Sequence, residues 1–213
     1  MREYLGADRI EGPLVFAEGY GNAAYGELVE VHAGGQGQLD HVRLGQVLTT
    51  GINQVIAEIW DETAGLQPHE LLLRFRGQTF QAPVSREMLG RVFDGLGRPR
   101  DGLPPPLAER RVDMRGLPLN PTARANPQHF IETGISAIDG MNTIVRGQKL
   151  PIFSGAGLPH NELAAQIALQ ARISEKAENF AVVFVALGVS HDVAAYFQQR
   201  FEESGLLART AFS

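Results

Sequence analysis

Cysteine is missing from this chain, acidic residues outnumber basic ones, and long apolar runs are absent. Because none of the 213 residues is cysteine, disulfides, thiolate nucleophiles and cysteine metal sites are excluded. The 19 lysines and arginines against 24 aspartates and glutamates give a formal net charge of −5, which argues against a broad basic face that binds nucleic acid. No segment approaches the roughly 18 consecutive apolar residues of a membrane-spanning helix.

Two further absences narrow the function. The amino-terminal sequence MREYLGADRIEGPLVF has neither the apolar core nor the small-residue cleavage site of a secretion signal. We therefore expect a soluble cytoplasmic protein whose connection to a membrane runs only through partners. The six histidines contain no pair at helical ligand spacing, the closest being His32 and His41, nine positions apart. No metal site is predicted.

The most informative segment that is present is the loop 154–161, within the sequence LPIFSGAGLPHNE. An apolar strand is predicted to run into a small-residue turn and then into a helix, which is how nucleotide phosphates are held on backbone amides at a helix N-terminus. In a working loop of the pattern GxxxxGK[ST], a glycine, a lysine and a hydroxyl residue complete the site. Here Pro159, His160 and Asn161 occupy those three positions.

Each of these replacements removes a function of the phosphate loop. Proline has no N–H to donate, a histidine side chain is shorter than lysine and mostly neutral at pH 7, and asparagine is a weak ligand for magnesium. The sequence thus predicts a degenerate phosphate loop, formed by Ser154, Gly155, Ala156, Gly157, Leu158, Pro159, His160 and Asn161. For a short glycine turn taken alone, the simpler interpretation is that Gly155 and Gly157 only shape a strand-to-helix turn.

Three blocks of sequence together resemble the non-catalytic B subunit of V-type and A-type rotary ATPases. They are GQKLPIFSGAGLPHNELAA at 147–165, PVSREMLGRVFDGLGRPRD at 83–101, and the block 117–146, in which GLPLNP at 116–121 is followed by ETGISAIDGMNTIVR. Their order and spacing fit the family over essentially the full chain. The resemblance implies a subunit that alternates with catalytic A subunits in a hexameric ring, coupling ATP turnover to proton or sodium transport.

A second departure from the catalytic pattern favours the non-catalytic subunit. After the apolar run 180–187, catalytic relatives carry Gly-Glu-Arg, whose glutamate orients the attacking water, whereas this chain has Gly188, Val189 and Ser190. Valine can neither accept a proton nor position water. No catalytic residue and no required cofactor are predicted, and binding of ATP or ADP is expected to be weak.

The resemblance also implies partners: catalytic A subunits, central-stalk subunits and peripheral-stalk subunits, with no nucleic acid. Two other functions stay open at this stage. One is an ATPase that tolerates Pro159 and His160. The other is a free-standing nucleotide-binding module in which Gly155, Ala156 and Gly157 offer amides to a phosphate without hydrolysis.

Members of this family continue well beyond the point where this chain stops. The resemblance therefore implies an N-terminal fragment, a truncated gene product or a split paralogue, without the magnesium-associated aspartate, the arginine that reaches the neighbouring subunit, or the C-terminal helical domain. We expect such a chain to expose an unpaired sheet edge and an apolar face. Marginal stability or aggregation would follow.

Residues 1–75 are predicted to form a small antiparallel β-barrel. Short β-rich runs at 14–16, 26–31, 42–50 and 54–60 alternate with glycine-containing loops at 19–22 and 33–37. The resemblance implies a six-stranded barrel that forms a collar and contacts neighbouring subunits. An oligonucleotide-binding barrel is disfavoured because the chain is acidic and lacks a basic and aromatic face.

Residues 76–213 are predicted to form a partial, P-loop-type parallel α/β nucleotide-binding domain. The stretch 103–106, Leu-Pro-Pro-Pro, is expected to be extended and exposed. Arg86 and Arg91 in the block 83–101 are candidates for subunit contacts.

Apolar periodicity predicts three helices and one strand in this region. The first helix, at 134–145, would bury Ile135, Ile138, Met141 and Ile144, with Asp139 as an exposed or capping carboxylate. The second, at 161–173, would place Leu163, Ile167 and Gln170 near one face. Strand 180–187 would be covered by helices on both faces. The last helix would begin after Ser190 or Asp192, end near Gly205, and place Val193, Tyr196, Phe197 and Phe201 on one side.

Overall fold

The computed structural model describes residues 2–19, 22–33, 42–116, 118, 120–127, 129–173 and 180–213. The chain divides into two compact units. The first combines Met1–Ala82 with Val112–Gly116, and the second combines Pro83–Arg111 with Leu117–Ser213. Each unit has its own cluster of buried apolar side chains.

One curled antiparallel sheet makes up most of the first unit. Its strands are β1 (Arg2–Leu5), β2 (Arg9–Glu11), β3 (Leu14–Glu18), β4 (Leu28–Ala33), β5 (Arg43–Thr50), β6 (Gln54–Ile59) and β7 (Leu71–Phe75). Their order across the sheet is β1-β7-β4-β5-β6-β3-β2. A short 3₁₀ helix, Pro68–Glu70, precedes β7.

The connection between the two edge strands shows why the sheet must curl. β1 and β2 lie at opposite edges of the sheet but are adjacent in the chain, separated only by residues 6–8. Seven flat strands would place the edges about 29 Å apart, whereas the chain from Leu5 to Arg9 reaches at most about 14 Å. The observed sheet is thus compatible with the predicted barrel.

The four strands predicted from the β-rich runs are confirmed as β3, β4, β5 and β6. The sheet has seven strands rather than the six that the resemblance implies, because β2 pairs with β3 as a separate short strand. The predicted loops at 19–22 and 33–37 fall largely outside the described residues. Alternation along the strands turns one row of side chains inward, and the resulting core consists of Val15, Ala17, Val29, Val31, Val47, Val55, Ala57, Ile59, Leu71, Leu73 and Phe75.

Glu27 is a buried carboxylate just before β4. Its oxygens accept hydrogen bonds from the backbone N–H of Ala24 at 3.0 Å and from that of Gly77, and form an ion pair with Arg2 at 3.1 Å. A buried charge is tolerated only when it is paired and hydrogen-bonded. These contacts tie β1, the turn before β4 and the turn after β7 to one another.

The other elements carry the second unit and its connections to the first. The strands are β8 (Gln81–Val84), β9 (Arg91–Val92), β10 (Arg110–Asp113), β11 (Phe130–Glu132), β12 (Ile144–Val145), β13 (Arg172–Ile173), β14 (Val182–Phe184) and β15 (Thr210–Phe212). The α-helices are α1 (Ser136–Met141), α2 (His160–Gln170) and α3 (His191–Glu203), and the 3₁₀ helices are Arg86–Met88, Pro121–Ala123 and Leu207–Arg209. β8 pairs with β10, β11 lies between β12 and β13, and β15 lies between β14 and β9.

An aromatic cluster joins α3 to the parallel sheet β14-β15-β9. The Phe184 ring lies 4.6 Å from the Phe197 ring and 4.7 Å from the Phe212 ring, centroid to centroid. Phe201 is fully buried beside them. The predicted inner face of the last helix is confirmed, as are its limits: Ser190 caps the N-terminus and Gly205 follows the C-terminus with φ +73°.

The helix predicted at 134–145 is shorter than expected. α1 ends at Met141, whose side chain is exposed, and Asn142 leaves the helical region with φ −134° and ψ 45°. Two residues further on, Ile144 and Val145 pair with β11 instead. β-branched side chains favour the extended conformation, so the predicted helix was wrong at its C-terminal end and in the burial of Met141. Ile144 is buried as predicted, but in a strand.

The helix predicted at 161–173 begins and ends earlier, and it packs through a different face. α2 stops at Gln170 because Arg172–Ile173 pairs with β11. Its buried residue is Ala165, and Ala164, Ala168 and Leu169 pack beside it. Leu163 and Ile167 are only half-buried and Gln170 is exposed. Small side chains allow close packing, so the alanines rather than the larger residues form the inner face.

The apolar run 180–187 forms a strand only at Val182–Phe184, and one face of that segment is uncovered. Phe184 packs against α3, while Val183 is 73% exposed and Leu187 is 80% exposed. The prediction that helices cover both faces is therefore wrong. The expected exposed apolar face is present here.

Among the described helices none combines the length and apolar character needed to cross a membrane.

Candidate functional site

The candidate phosphate loop lies on the surface of the second unit. All residues from Pro151 to His160 are exposed, with the Phe153 side chain 90% exposed. Residues 150–155 adopt no regular secondary structure, so the strand predicted before the loop is wrong. Pro151 has no N–H for a strand ladder, and the apolar side chains of this run find no described core to fill.

A tight turn leads from this segment into α2. The N–H of Leu158 donates to the carbonyl oxygen of Gly155 at 3.3 Å, and Gly157 has φ +81°, a conformation that favours glycine. Pro159 is the residue before the helix and makes no side-chain capping bond. Glu162 lies in the first helical turn, where a negative charge is favourable.

The His160 ring is tied back onto the turn. Its Nδ1 lies 2.9 Å from the carbonyl oxygen of Leu158 and 3.0 Å from Oγ of Ser154. Because a carbonyl oxygen can only accept, Nδ1 carries the hydrogen, and Nε2 is the acceptor in the neutral ring. Sequence reasoning placed His160 at the lysine position, but it could not show this contact across the turn.

The backbone amides of the loop divide into two groups. Those of Leu158 and His160 donate to carbonyl oxygens within the turn, the second at 2.9 Å to Leu158. Within the described part of the chain, no acceptor is seen for the amides of Gly155, Ala156 and Gly157. The loop therefore offers backbone donors to an anion, but none of its eight residues is a lysine, and Asn161 stands where a hydroxyl ligand for magnesium would be.

The turn after β14 lacks the chemistry of a general base. Gly188 has φ +66°, Val189 is 47% exposed, and Ser190 accepts a hydrogen bond from the N–H of Val193 at 3.4 Å. The Val189 side chain faces solvent and has no proton-accepting atom. No described hydrogen bond joins this turn to the loop 154–161.

Asp139 stabilises the turn before α1. Its carboxylate accepts hydrogen bonds from the N–H and the hydroxyl of Thr133, at 2.9 and 2.7 Å, and from the N–H of Gly134 at 2.9 Å. The Thr133 hydroxyl bond, followed by the two backbone bonds, holds the pKa of Asp139 below its usual value. The N-cap of α1 is Ile135 and the helix has no side-chain capping bond, so Asp139 fixes the turn before the helix without capping it, and all its described contacts are structural.

Arg91 and Arg86, the two candidates for subunit contacts, differ in their surroundings. Arg91 forms a two-pronged ion pair with Asp101 and also donates to the carbonyl oxygen of Pro104 at 3.0 Å. The Arg91 guanidinium holds the pKa of Asp101 well below its usual range. Arg91 thus stabilises the loop 91–104. The side chain of Arg86 is exposed and lines a cleft.

Metal chemistry finds no support in the described residues, which contain no group of three or more His, Asp or Glu side chains positioned to hold an ion. His41 lies outside that set. His32 contacts Arg74 at 3.4 Å, and burial, then the charge of Arg74, lowers its pKa. His32 is therefore one of the polar residues on the charged surface of the sheet.

Comparison with known proteins supports the family resemblance. Residues 134–213 match the ATP synthase alpha/beta family, nucleotide-binding domain. The chain is 50% identical over 212 residues, which are 99% of this chain and 45% of the relative, to the B subunit of the A-type ATP synthase from Aeropyrum pernix. It is also 50% identical over 208 residues, 98% of this chain and 21% of the relative, to the protein of the same name from Methanopyrus kandleri.

The chain therefore spans less than half the length of these relatives. These similarities confirm that the chain resembles the B subunit of A-type rotary ATPases, as the three sequence blocks predict.

Proposed function

We propose that this chain serves as a non-catalytic, regulatory part of a rotary ATPase, alternating with catalytic A subunits in a hexameric ring. In this role it couples ATP turnover in its neighbours to proton or sodium transport, with central-stalk and peripheral-stalk subunits as further partners. Its position is cytoplasmic, and the complex alone links it to the membrane. The similarity to the B subunits of two A-type ATP synthases supports this proposal.

The main support for a non-catalytic role is that the loop 154–161 lacks the residues and contacts of a working phosphate loop. The residue in the lysine position, His160, bonds back to Leu158 and Ser154, and Pro159 removes an amide next to it. Val189, in the position of the water-orienting glutamate, has no proton-accepting atom. Phosphoryl transfer depends on positioned cations and an oriented nucleophile, and this chain supplies neither at these positions.

The first test is titration calorimetry of the full chain with Mg-ATP and Mg-ADP, combined with a phosphate-release assay. We expect no turnover by the chain alone and turnover when purified A subunit is added. Turnover by the chain alone that disappears in His160→Ala would contradict the proposal and identify an ATPase with an atypical loop.

A gain-of-binding variant makes this test sharper. Ser154→Gly, Pro159→Gly, His160→Lys and Asn161→Thr together restore the pattern GxxxxGK[ST]. We expect this variant to bind Mg-ATP more tightly than the natural chain, without hydrolysis because Val189 is unchanged. His69→Lys, which adds a lysine at an exposed site of the first unit, is the matched control and should leave binding unchanged.

A second candidate function is a nucleotide-binding module without hydrolysis. The free amides of Gly155, Ala156 and Gly157 at the start of α2 favour it, as does the match of residues 134–213 to a nucleotide-binding domain. Tight binding of ATP in the presence of a metal chelator would identify this function. Binding that requires magnesium would argue against it, since Asn161 replaces the hydroxyl residue that would bind magnesium.

A further inference from the structure

A cleft in the second unit lies between the turn that follows β8 and the start of β10. It has a volume of about 480 Å³ and is lined by Val84, Ser85, Arg86, Leu89, Glu109 and Arg110. This volume is within the usual range of about 300–1,000 Å³ for ligand sites. The cleft shares no residue with the loop 154–161, so binding in the cleft can be tested separately from nucleotide binding at the loop.

Hydrogen bonds hold the walls of the cleft in place. Ser85 caps the 3₁₀ helix Arg86–Met88 by accepting from the N–H of Glu87 at 3.0 Å. The N–H of Glu109 donates to the carbonyl oxygen of Val84 at 3.0 Å, and the N–H of Arg86 donates to the Glu109 carboxylate at 3.0 Å. The cleft is therefore formed before any ligand arrives, which reduces the entropy lost on binding.

The polar groups of the cleft are donor-rich. The side chains of Arg86 and Arg110 are both exposed, and within the described part of the chain neither guanidinium has an ion-pair or hydrogen-bond partner. The nearby carboxylates are already engaged: Glu109 accepts from the N–H of Arg86, and Glu87 accepts from the N–H of Leu107 at 3.0 Å. Guanidinium groups bind carboxylates through two parallel hydrogen bonds, so two acidic side chains of a ligand could each accept from one of the two arginines.

Apolar surface lies beside these donors. Val84 is half-buried, Leu89 is 38% exposed, and both line the cleft. A small free anion would engage the guanidinium groups but would leave this apolar surface in water. A peptide with an aliphatic side chain between acidic ones would engage both.

We propose that this cleft docks an extended segment of another polypeptide in which an aliphatic side chain is flanked by Asp or Glu. The aliphatic group packs on Val84 and Leu89, and the carboxylates pair with Arg86 and Arg110. The charge complementarity of the exposed guanidinium groups with acidic residues selects this ligand over a neutral one.

The test uses the full chain and a fluorescein-labelled peptide, Glu-Leu-Asp-Leu-Glu with blocked ends, followed by fluorescence anisotropy at low salt. We expect saturable binding that weakens by about tenfold or more in the variant Arg86→Ala/Arg110→Ala, because two charge-assisted contacts are lost. Arg124→Ala, which removes an exposed arginine from the same unit but not from the cleft, is the matched control and should leave binding unchanged.

Two further measurements separate this proposal from its competitors. Replacing the three acidic residues of the peptide with Gln and Asn should abolish binding, and Leu89→Ser should weaken it while inorganic phosphate fails to compete. Equal weakening by Arg124→Ala, or displacement of the peptide by millimolar phosphate, would overturn the proposal. Self-association of the chain that is lost in Arg86→Ala/Arg110→Ala would also overturn it, because the occupant would then be a second copy of this chain.

Discussion

The first unit buries a continuous apolar interior, whereas the second leaves large apolar side chains in water. Val15, Val29 and Val31 in the first unit are fully buried, but Val183 and Phe153 in the second are 73% and 90% exposed. In the first unit three of the six pairs of neighbouring strands are also close in sequence, namely the hairpin pairs β2-β3, β4-β5 and β5-β6. In the second, β9 near residue 91 pairs with β15 near residue 211.

The two units therefore obtain their stability in different ways. Local antiparallel pairing completes a core from nearby residues, while parallel pairing requires contacts between distant segments and coverage of both faces. We expect the first unit to resist local unfolding more strongly than the second. Substitutions within each unit test this expectation.

The largest effect is expected for Phe201→Ala in the second unit. Phe201 is fully buried, and its ring packs edge-on against Phe184 at 5.5 Å between centroids, so its loss should cost about 3–5 kcal/mol. Hydrogen exchange of the α3 amides should then approach that of an unfolded chain, while the β5 and β6 amides remain protected. Phe153→Ala, at an exposed site, is the control and should change little. Equal loss of protection in β5 and β6 would show that the two units unfold together.

A smaller effect is expected for Glu27→Gln in the first unit. The change removes a buried charge that accepts from Ala24 and Gly77 and pairs with Arg2, and we expect a loss of about 2 kcal/mol because Arg2 is partly exposed. Trp60 is the single tryptophan of the chain and packs on Phe80 within this unit, so urea unfolding followed by its fluorescence reports the result.

The matched control for this change is Glu11→Gln, which neutralises an exposed ion pair with Arg9 and should have almost no effect. If Glu27→Gln were as mild as Glu11→Gln, the buried carboxylate would contribute nothing to the first unit.

The two units should lose stability in acid through different carboxylates. Hydrogen bonds lower the pKa of Asp139 in the second unit and of Asp113 in the first, chiefly those from the Thr133 and Thr79 hydroxyls. A folded-state pKa below the unfolded value adds stability that is present above the ordinary value of 3.8 and is lost as the pH falls through the folded-state pKa.

The measurement compares Asp139→Asn and Asp113→Asn with the natural chain over a range of pH. Each variant should destabilise its own unit at pH 7, and the difference from the natural chain should shrink in acid below the ordinary carboxyl pKa. A difference that stays constant with pH would mean that hydrogen-bond geometry, rather than ionisation, is responsible.

The smallest effect is expected for Ser190→Ala at the start of α3. Its hydroxyl accepts from the N–H of Val193 at 3.4 Å, a long bond, so the loss should be about 0.5–1 kcal/mol. Exchange of the first-turn amides of α3 measures it. Ser190→Asp, which retains a capping oxygen, should restore the protection, and failure to do so would show that the cap contributes no stability.

Much of the fold could be predicted because local patterns were strong. Strands β3 to β6 followed from β-rich runs between loops, and the inner face of α3 followed from Val193, Tyr196, Phe197 and Phe201. The edge strands β1 and β2 escaped prediction because they are short and carry charged residues. The α2 face was wrong because alanines, which periodicity weighs little, form its contact with the core.

The candidate site was predicted in its composition but not in its geometry. The replacement of the glycine, lysine and hydroxyl residue by Pro159, His160 and Asn161 can be read directly from the sequence. The bond of His160 to Leu158 and the pairing of Arg91 with Asp101 cannot. The cleft at Arg86 and Arg110 had no sequence signal beyond an exposed arginine, since its walls come from segments about 25 residues apart that meet only through hydrogen bonds.

The amino-acid sequence alone was enough to establish the family resemblance, the absence of cysteine chemistry, and which side chains are missing from the phosphate loop. These properties depend on residue type and spacing, which are local. The curl of the first sheet, the place of β15 between β9 and β14, and the exposure of Val183 and Leu187 became known only from the folded chain. Closure, strand order and burial depend on contacts between distant segments, and local patterns do not determine which distant partners meet.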